Sequence, residues 1–130
     1  MTIQRFEDIK AWQRGRELAW VIYQITGKEP LARDYGLRDQ LGRAAVSVVS
    51  NIAEGFERGG TGEFRQFLSQ AKGSAGEIKA QLYIARDVGL LAEEDFATVY
   101  ALADETGRMI GGLMRYLARS EIRGPKYHNV

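Results

Sequence analysis

A chain of 130 residues with 45% apolar and 27% charged side chains reads as one globular domain. Eighteen Lys and Arg against 17 Asp and Glu leave a net charge of +1, so no global field draws in nucleic acid or an anionic membrane, although a local patch is not excluded. With no cysteine and a single histidine, His128 near the C-terminus, the chain has no means of making disulfides, thiolate metal sites, Cys nucleophiles or a His-based triad within a helical core.

Glycine and proline break the chain at Gly27-Lys28-Glu29-Pro30, at Gly59-Gly60 and at Gly89. The four segments between them all show helical periodicity. The opening, MTIQRFEDIKAW, lacks the basic start and apolar centre of a signal peptide, and no run approaches the roughly 20 apolar residues that span a bilayer. A cytoplasmic protein without membrane contact is expected. The first helix is expected from about Phe6 to Thr26. Ala11, Gly15, Leu18, Ile22 and Ile25 form one stripe, and Trp12, Ala19, Trp20 and Tyr23 form a second beside it. The second helix is expected from about Tyr35 to Arg58, N-capped by Asp34, with Leu41, Ala45, Val48, Ile52 and Phe56 facing inward.

The third segment, about Gly62 to Val88, repeats Phe64, Leu68, Ala71, Ala75, Ile78, Leu82 and Ala85 at alternating spacings of four and three. Thr61 is its expected N-cap and Gly89 its stop. The fourth runs from about Glu93 to Arg119 through Phe96, Val99, Ala103, Ile110, Leu113 and Leu117, with Thr106 filling one slot. Short connections make successive helices antiparallel neighbours, so the expected fold is an all-α, up-down-up-down four-helix bundle over residues 1–119. Residues 120–130 have no periodicity and are expected as a flexible tail.

The double stripe on the first helix and a second apolar line on the fourth, Leu102, Met109 and Tyr116, exceed what one core seam requires. Self-association is one explanation; Trp and Tyr closing the ends of a monomer core is the other. Glycines at positions 15, 42, 55, 73, 76, 107, 111 and 112 fall inside helices. Each costs up to about 1 kcal/mol against Ala unless it lets helices approach closely.

Catalytic signals are sparse. No phosphate loop, dinucleotide fingerprint or Glu-x-x-His pair appears. Glu93-Glu94-Asp95 opens a helix, where acidic residues complement the macrodipole, so no metal or cofactor is expected there. A carboxylate-only active site near Glu54 stays open as a third reading. For nucleic acid the candidates are Lys10, Arg14 and Arg16 on the first helix and Lys72, Lys79 and Arg86 on the third. The last three are spaced by seven and share one helix face, which also suits a plain solvated surface.

In helical projection Gln40, Arg43, Ser47, Asn51, Glu54 and Arg58 fall in one sector about 80° wide beside the apolar stripe of the second helix. Glu54 precedes Arg58 by four, the favourable order. Such a ribbon of donors and acceptors satisfies polar groups at a packed edge and fixes register more than it adds stability. It is expected to order an inter-helix or inter-subunit contact.

From Tyr35 to Ile78 the sequence carries Tyr35-Gly36-Leu37, Gln40, Arg43, Ala45-Val46-Ser47, Asn51-Ile52-Ala53-Glu54-Gly55, Arg58, Glu63-Phe64, Phe67-Leu68 and Gly73-Ser74. With FEDIKAWQ at Phe6–Gln13, this resembles the four-helix-bundle family first noticed as open reading frames in intervening sequences of bacterial 23S ribosomal RNA genes. The resemblance implies an antiparallel bundle assembled as a homopentameric ring, with most members lacking an assigned biochemical role. A similar pentameric bundle is the accessory protein of diversity-generating retroelements, which contacts reverse transcriptase and nucleic acid and looks more basic than this chain. Val49 stands where relatives often have proline, Gly42 where a basic residue is common, and Ala75-Gly76 where a larger apolar residue is usual. The resulting expectation is a non-enzymatic, homo-oligomeric binding or scaffold protein whose partner is itself and another protein or nucleic acid. The alternative is RNA or DNA binding by the assembled ring.

Overall fold

The computed structural model describes residues 2–120 and 127–128, with side chains for residues 3–119. Four helices carry the fold: α1 (Lys10–Thr26), α2 (Tyr35–Arg58), α3 (Thr61–Asp87) and α4 (Glu93–Ser120). At 1.5 Å per residue they are about 26 to 42 Å long. Packing runs α1 against α2, α2 against α3, α3 against α4 and α4 back to α1, so the outer α1/α2 and α3/α4 surfaces lie on opposite sides of the bundle. This is the all-α, up-down-up-down arrangement that the periodicity predicts. A two-residue antiparallel pair joins β1 (Thr2–Ile3) to β2 (Tyr127–His128). Apart from the end of α4 and β2, the segment expected as a tail lies outside the described residues.

The core consists of the stripes read from the sequence. Leu18, Ile22, Leu41, Val48, Ile52, Leu68, Ile78, Leu82, Ile110 and Leu117 are all fully buried. Phe56 and Phe64 meet edge to face at 6.0 Å, a favoured aromatic geometry. Thr106 fills its slot by donating its hydroxyl proton to the Leu102 carbonyl at 2.8 Å, which satisfies the hydroxyl without leaving the helix. The second apolar line on α4 packs largely into the same core, because Leu102, Met109 and Tyr116 are all half-buried against it.

Helix boundaries follow local chemistry. Asp34 caps α2 by accepting from the Leu37 amide at 3.0 Å, as expected. α1 starts later than Phe6: a 3-10 turn spans Phe6–Asp8, and Ile9, with an extended backbone, precedes the helix. Two contacts hold that turn, Phe6 edge to face with Trp12 at 5.1 Å and Gln13 Nε2 donating to the Glu7 carbonyl at 2.8 Å. Thr61 is the first residue of α3 rather than its cap. Gly60 takes the cap position with extended backbone, since Gly59 has already reversed the chain in the left-handed region at φ 87°. At the other end of α3, Gly89 (φ 83°) closes a Schellman turn, with Leu90 N–H bonded to the Ala85 carbonyl and Gly89 N–H to that of Arg86.

Candidate functional site: a polar seam, an aromatic face and a basic groove

The polar sector of α2 divides according to which helix it meets. On the α3 side, Asn51 donates through Nδ2 to the Ser47 carbonyl and to Ser47 Oγ, both at 2.9 Å. Ser47 Oγ is in turn 2.9 Å from Ser74 Oγ of α3. A hydroxyl that accepts from Asn51 still has its own proton to give to Ser74. Gln81 Nε2 donates to Gln40 Oε1 at 3.3 Å one end of the seam along. At the opposite end, Arg58 pairs with Glu54 at 2.8 Å and Glu63 at 3.7 Å and lies over the Phe67 ring at 5.0 Å. The hydrogen bond to Glu54 raises the Arg58 pKa. Five of the six ribbon residues thus meet groups on α3 or each other. Arg43 does not join them. It lines a groove toward α1 with Tyr23, Arg38, Gly42 and Val46. Ser74 was legible only as part of the quoted Gly73-Ser74 pair, since its role depends on how α3 is rotated against α2.

The α1/α2 surface is aromatic and uncovered. Trp20 is 65% exposed and Tyr23 58%, on a helix whose inner face is otherwise fully packed. Trp20 and Tyr23 line a shallow depression of about 540 Å³ with Gln13, Arg16, Glu17 and Ala19. Tyr23 also borders the neighbouring groove of about 750 Å³, where Gly42 leaves room for its ring. Val46 and Tyr35 continue this exposed face along α2. The α1 cations are largely engaged: Arg14 pairs with Glu17 at 2.6 Å and with Glu105 at 3.4 Å, and Arg16 lies over Trp12 at 5.7 Å. Lys10 lines a separate small groove with Met109 and Tyr116.

The α3 cations, by contrast, gain company from α4. Lys72, Lys79 and Arg108 line one cleft with Ala75, Gly76, Ala103, Asp104 and Gly107. Lys79 Nζ is 2.9 Å from Asp104, and Arg108 is 2.7 Å from the other oxygen of the same carboxylate. The Lys79 hydrogen bond, seconded by its charge and that of Arg108, holds the Asp104 pKa below its usual value. The Lys72 stem lies against Gly111, beside Arg115. At the far end, Arg86 lies over Tyr83 at 5.2 Å and Phe96 at 4.4 Å, and it pairs with Asp87 at 3.1 Å. Tyr83 and Tyr100 are edge to face at 5.3 Å, and the closeness of the Tyr83 phenol raises the Tyr100 pKa. Arg108 and Arg115 escape a reading that takes one helix at a time.

Among the described residues no three carboxylate or imidazole side chains gather where one metal ion could be held. No helix among them is long and apolar enough to cross a membrane. The three surfaces can lock two helices in register, bury aromatic area against another surface, and attract anions.

The sequence model of the 23S rRNA-intervening sequence protein family matches residues 7–112. The fold resembles a crystal structure from Bacteroides thetaiotaomicron, a protein of unknown function from the S23 ribosomal protein family. The match has a TM-score of 0.74 at 18% identity and covers 81% of this chain and 98% of that one. No curated protein matches the chain.

Proposed function

Because the chain belongs to the 23S rRNA-intervening sequence protein family, we propose that it is a non-enzymatic, self-associating scaffold of the cytoplasm. Its copies meet through the outer face of α1 and the adjoining start of α2. One observation carries the reading: Trp20 and Tyr23 stand more than half exposed in line with Val46 and Tyr35, over grooves that a second surface would fill. Large aromatics bury about 150–250 Å² each when covered, which makes them strong anchors for an interface. The assembly we put forward is the homopentameric ring implied by the sequence resemblance. In it the Ser47–Asn51–Ser74 seam keeps α2 and α3 in the register that shapes the face.

Sedimentation velocity and light scattering at micromolar concentration test the reading. Wild type should sediment as an oligomer, and Trp20→Asp with Tyr23→Asp should sediment as a folded monomer. A wild type that is strictly monomeric, or an aspartate variant that assembles unchanged, overturns it. A second reading, in which the assembled copies bind RNA or DNA, draws its support from the grouping of cations on α3 and α4.

A further inference from the structure

We propose that the outer groove between α3 and α4 is a path for single-stranded nucleic acid, with phosphates on its basic side chains and a base stacked at Tyr83. This deepens the second reading above and rests on it.

The charge distribution comes first. Arg65 extends the seven-residue spacing of Lys72, Lys79 and Arg86, so four cations line one face of α3 over about 32 Å. Arg108 and Arg115, again seven apart, face them from α4. Three carboxylates are counted with this surface: Asp87, Asp104 and Glu93, the last one turn before Phe96 on α4, the ring over which Arg86 lies. The groove is therefore net positive by three in a chain whose total is +1, and the rest of the molecule is net negative. From Lys72 and Arg108 toward Arg65 and Arg115 there is no acid on the face. Nearby Glu63 pairs with Arg58, and Glu105 with Arg14, on other sides of the bundle.

Shape and stacking chemistry select the polyanion. The cleft is floored by Ala75, Gly76, Ala103 and Gly107, and a Cβ added at Gly76 would meet nothing within 4 Å. A backbone can therefore lie close to the helices. Tyr83 is 42% exposed at one end, with Tyr100 and Phe96 behind it and Arg86 over its ring. A basic groove that ends on an aromatic platform is the arrangement that binds single strands with little sequence preference. An acidic polypeptide would use the charges but would leave Tyr83 without a task.

The test uses the full chain and fluorescein-labelled 20-nucleotide single strands of mixed-sequence RNA and DNA, read by fluorescence anisotropy. At about 50 mM KCl binding is expected, with log affinity falling linearly against log salt at a slope of about −3 for some four phosphate contacts. Lys72→Gln with Arg115→Gln should weaken binding at least tenfold and shrink the slope by about 1.4, the share of two contacts. Tyr83→Ala should weaken it about fivefold or more while Tyr83→Phe binds as wild type. Arg5→Gln with Lys10→Gln, away from both the groove and the Trp20–Tyr23 face, should change nothing, and circular dichroism melts check that every variant folds. No binding of any nucleic acid overturns both this path and the second reading. Binding that the groove variants leave intact overturns the path alone. Tighter binding of a duplex, or competition by poly-glutamate equal to RNA with Tyr83→Ala silent, assigns the groove to another ligand and also overturns it.

Discussion

The α2/α3 seam and the α3/α4 groove share a helix, and both use small residues, yet they are built for opposite ends. In the seam, a Cβ added at Gly55 would sit 2.6 Å from Phe67 Cβ and 3.0 Å from Phe64 Cδ1. In the groove, the corresponding space at Gly76 is open. Polar groups divide in the same way. Ser47, Asn51 and Ser74 satisfy one another at 2.9 Å in a half-buried setting, whereas Lys72 and Arg115 lie along the groove surface. A glycine in the first place lets two helices meet; a glycine in the second keeps them from filling the space between them.

That contrast can be broken by substitution, and the effects should fall in a definite order. Gly55→Ala should cost most, about 1–3 kcal/mol from overpacking against Phe67, since neither Cβ has a flexible end with which to yield. Chemical denaturation would show it as a lowered midpoint with unchanged slope. Ser47→Ala should come next. It removes the shared hydroxyl between Asn51 and Ser74 at about 1 kcal/mol, and a double-mutant cycle with Ser74→Ala should be strongly non-additive.

Gly76→Ala should run the other way, stabilising by about 0.5–1 kcal/mol in the same denaturation assay, because helix propensity improves and nothing is struck. A destabilised Gly76→Ala would mean that the groove is not open. The smallest effect should belong to Asp104. Its folded-state pKa lies below its unfolded value, so its contribution is present above the unfolded pKa, near 4, and is lost as pH falls through the folded pKa. Asp104→Asn should flatten the acid limb of the pH–Tm profile, and high salt should erase the difference, as expected for a one-third exposed pair.

The helices and their buried faces were legible because each stripe is long and regular, and α2 was legible to both ends because Asp34 and Gly59 are strong local signals. Where capping is done by the backbone alone, as at Ile9 and Gly60, sequence offered no side chain to read, and boundaries moved. The polar sector of α2 was visible in projection, but its division was not. Projection gives an angle on one helix, while the separation of Arg43 from Ser47 and Asn51 depends on where α1 and α3 sit. The same limit hid the meeting of Lys72 with Gly111 and Arg115, residues about forty positions away along the chain.

The reversal at Gly59 and Gly60 carries a consequence for how the chain acquires its shape. Only two residues separate 24 residues of α2 from 27 of α3, and this pair of helices has the most extensive mutual packing in the bundle. Closing so short a loop costs little chain entropy, so the hairpin of α2 and α3 is expected to form early on the folding pathway. α1 and α4, which must find it from either end, are expected to dock afterwards. Phe56→Leu and Phe64→Leu should then slow folding, while Leu18→Ala in α1 and Leu117→Ala in α4 should chiefly speed unfolding, a difference that chevron plots resolve.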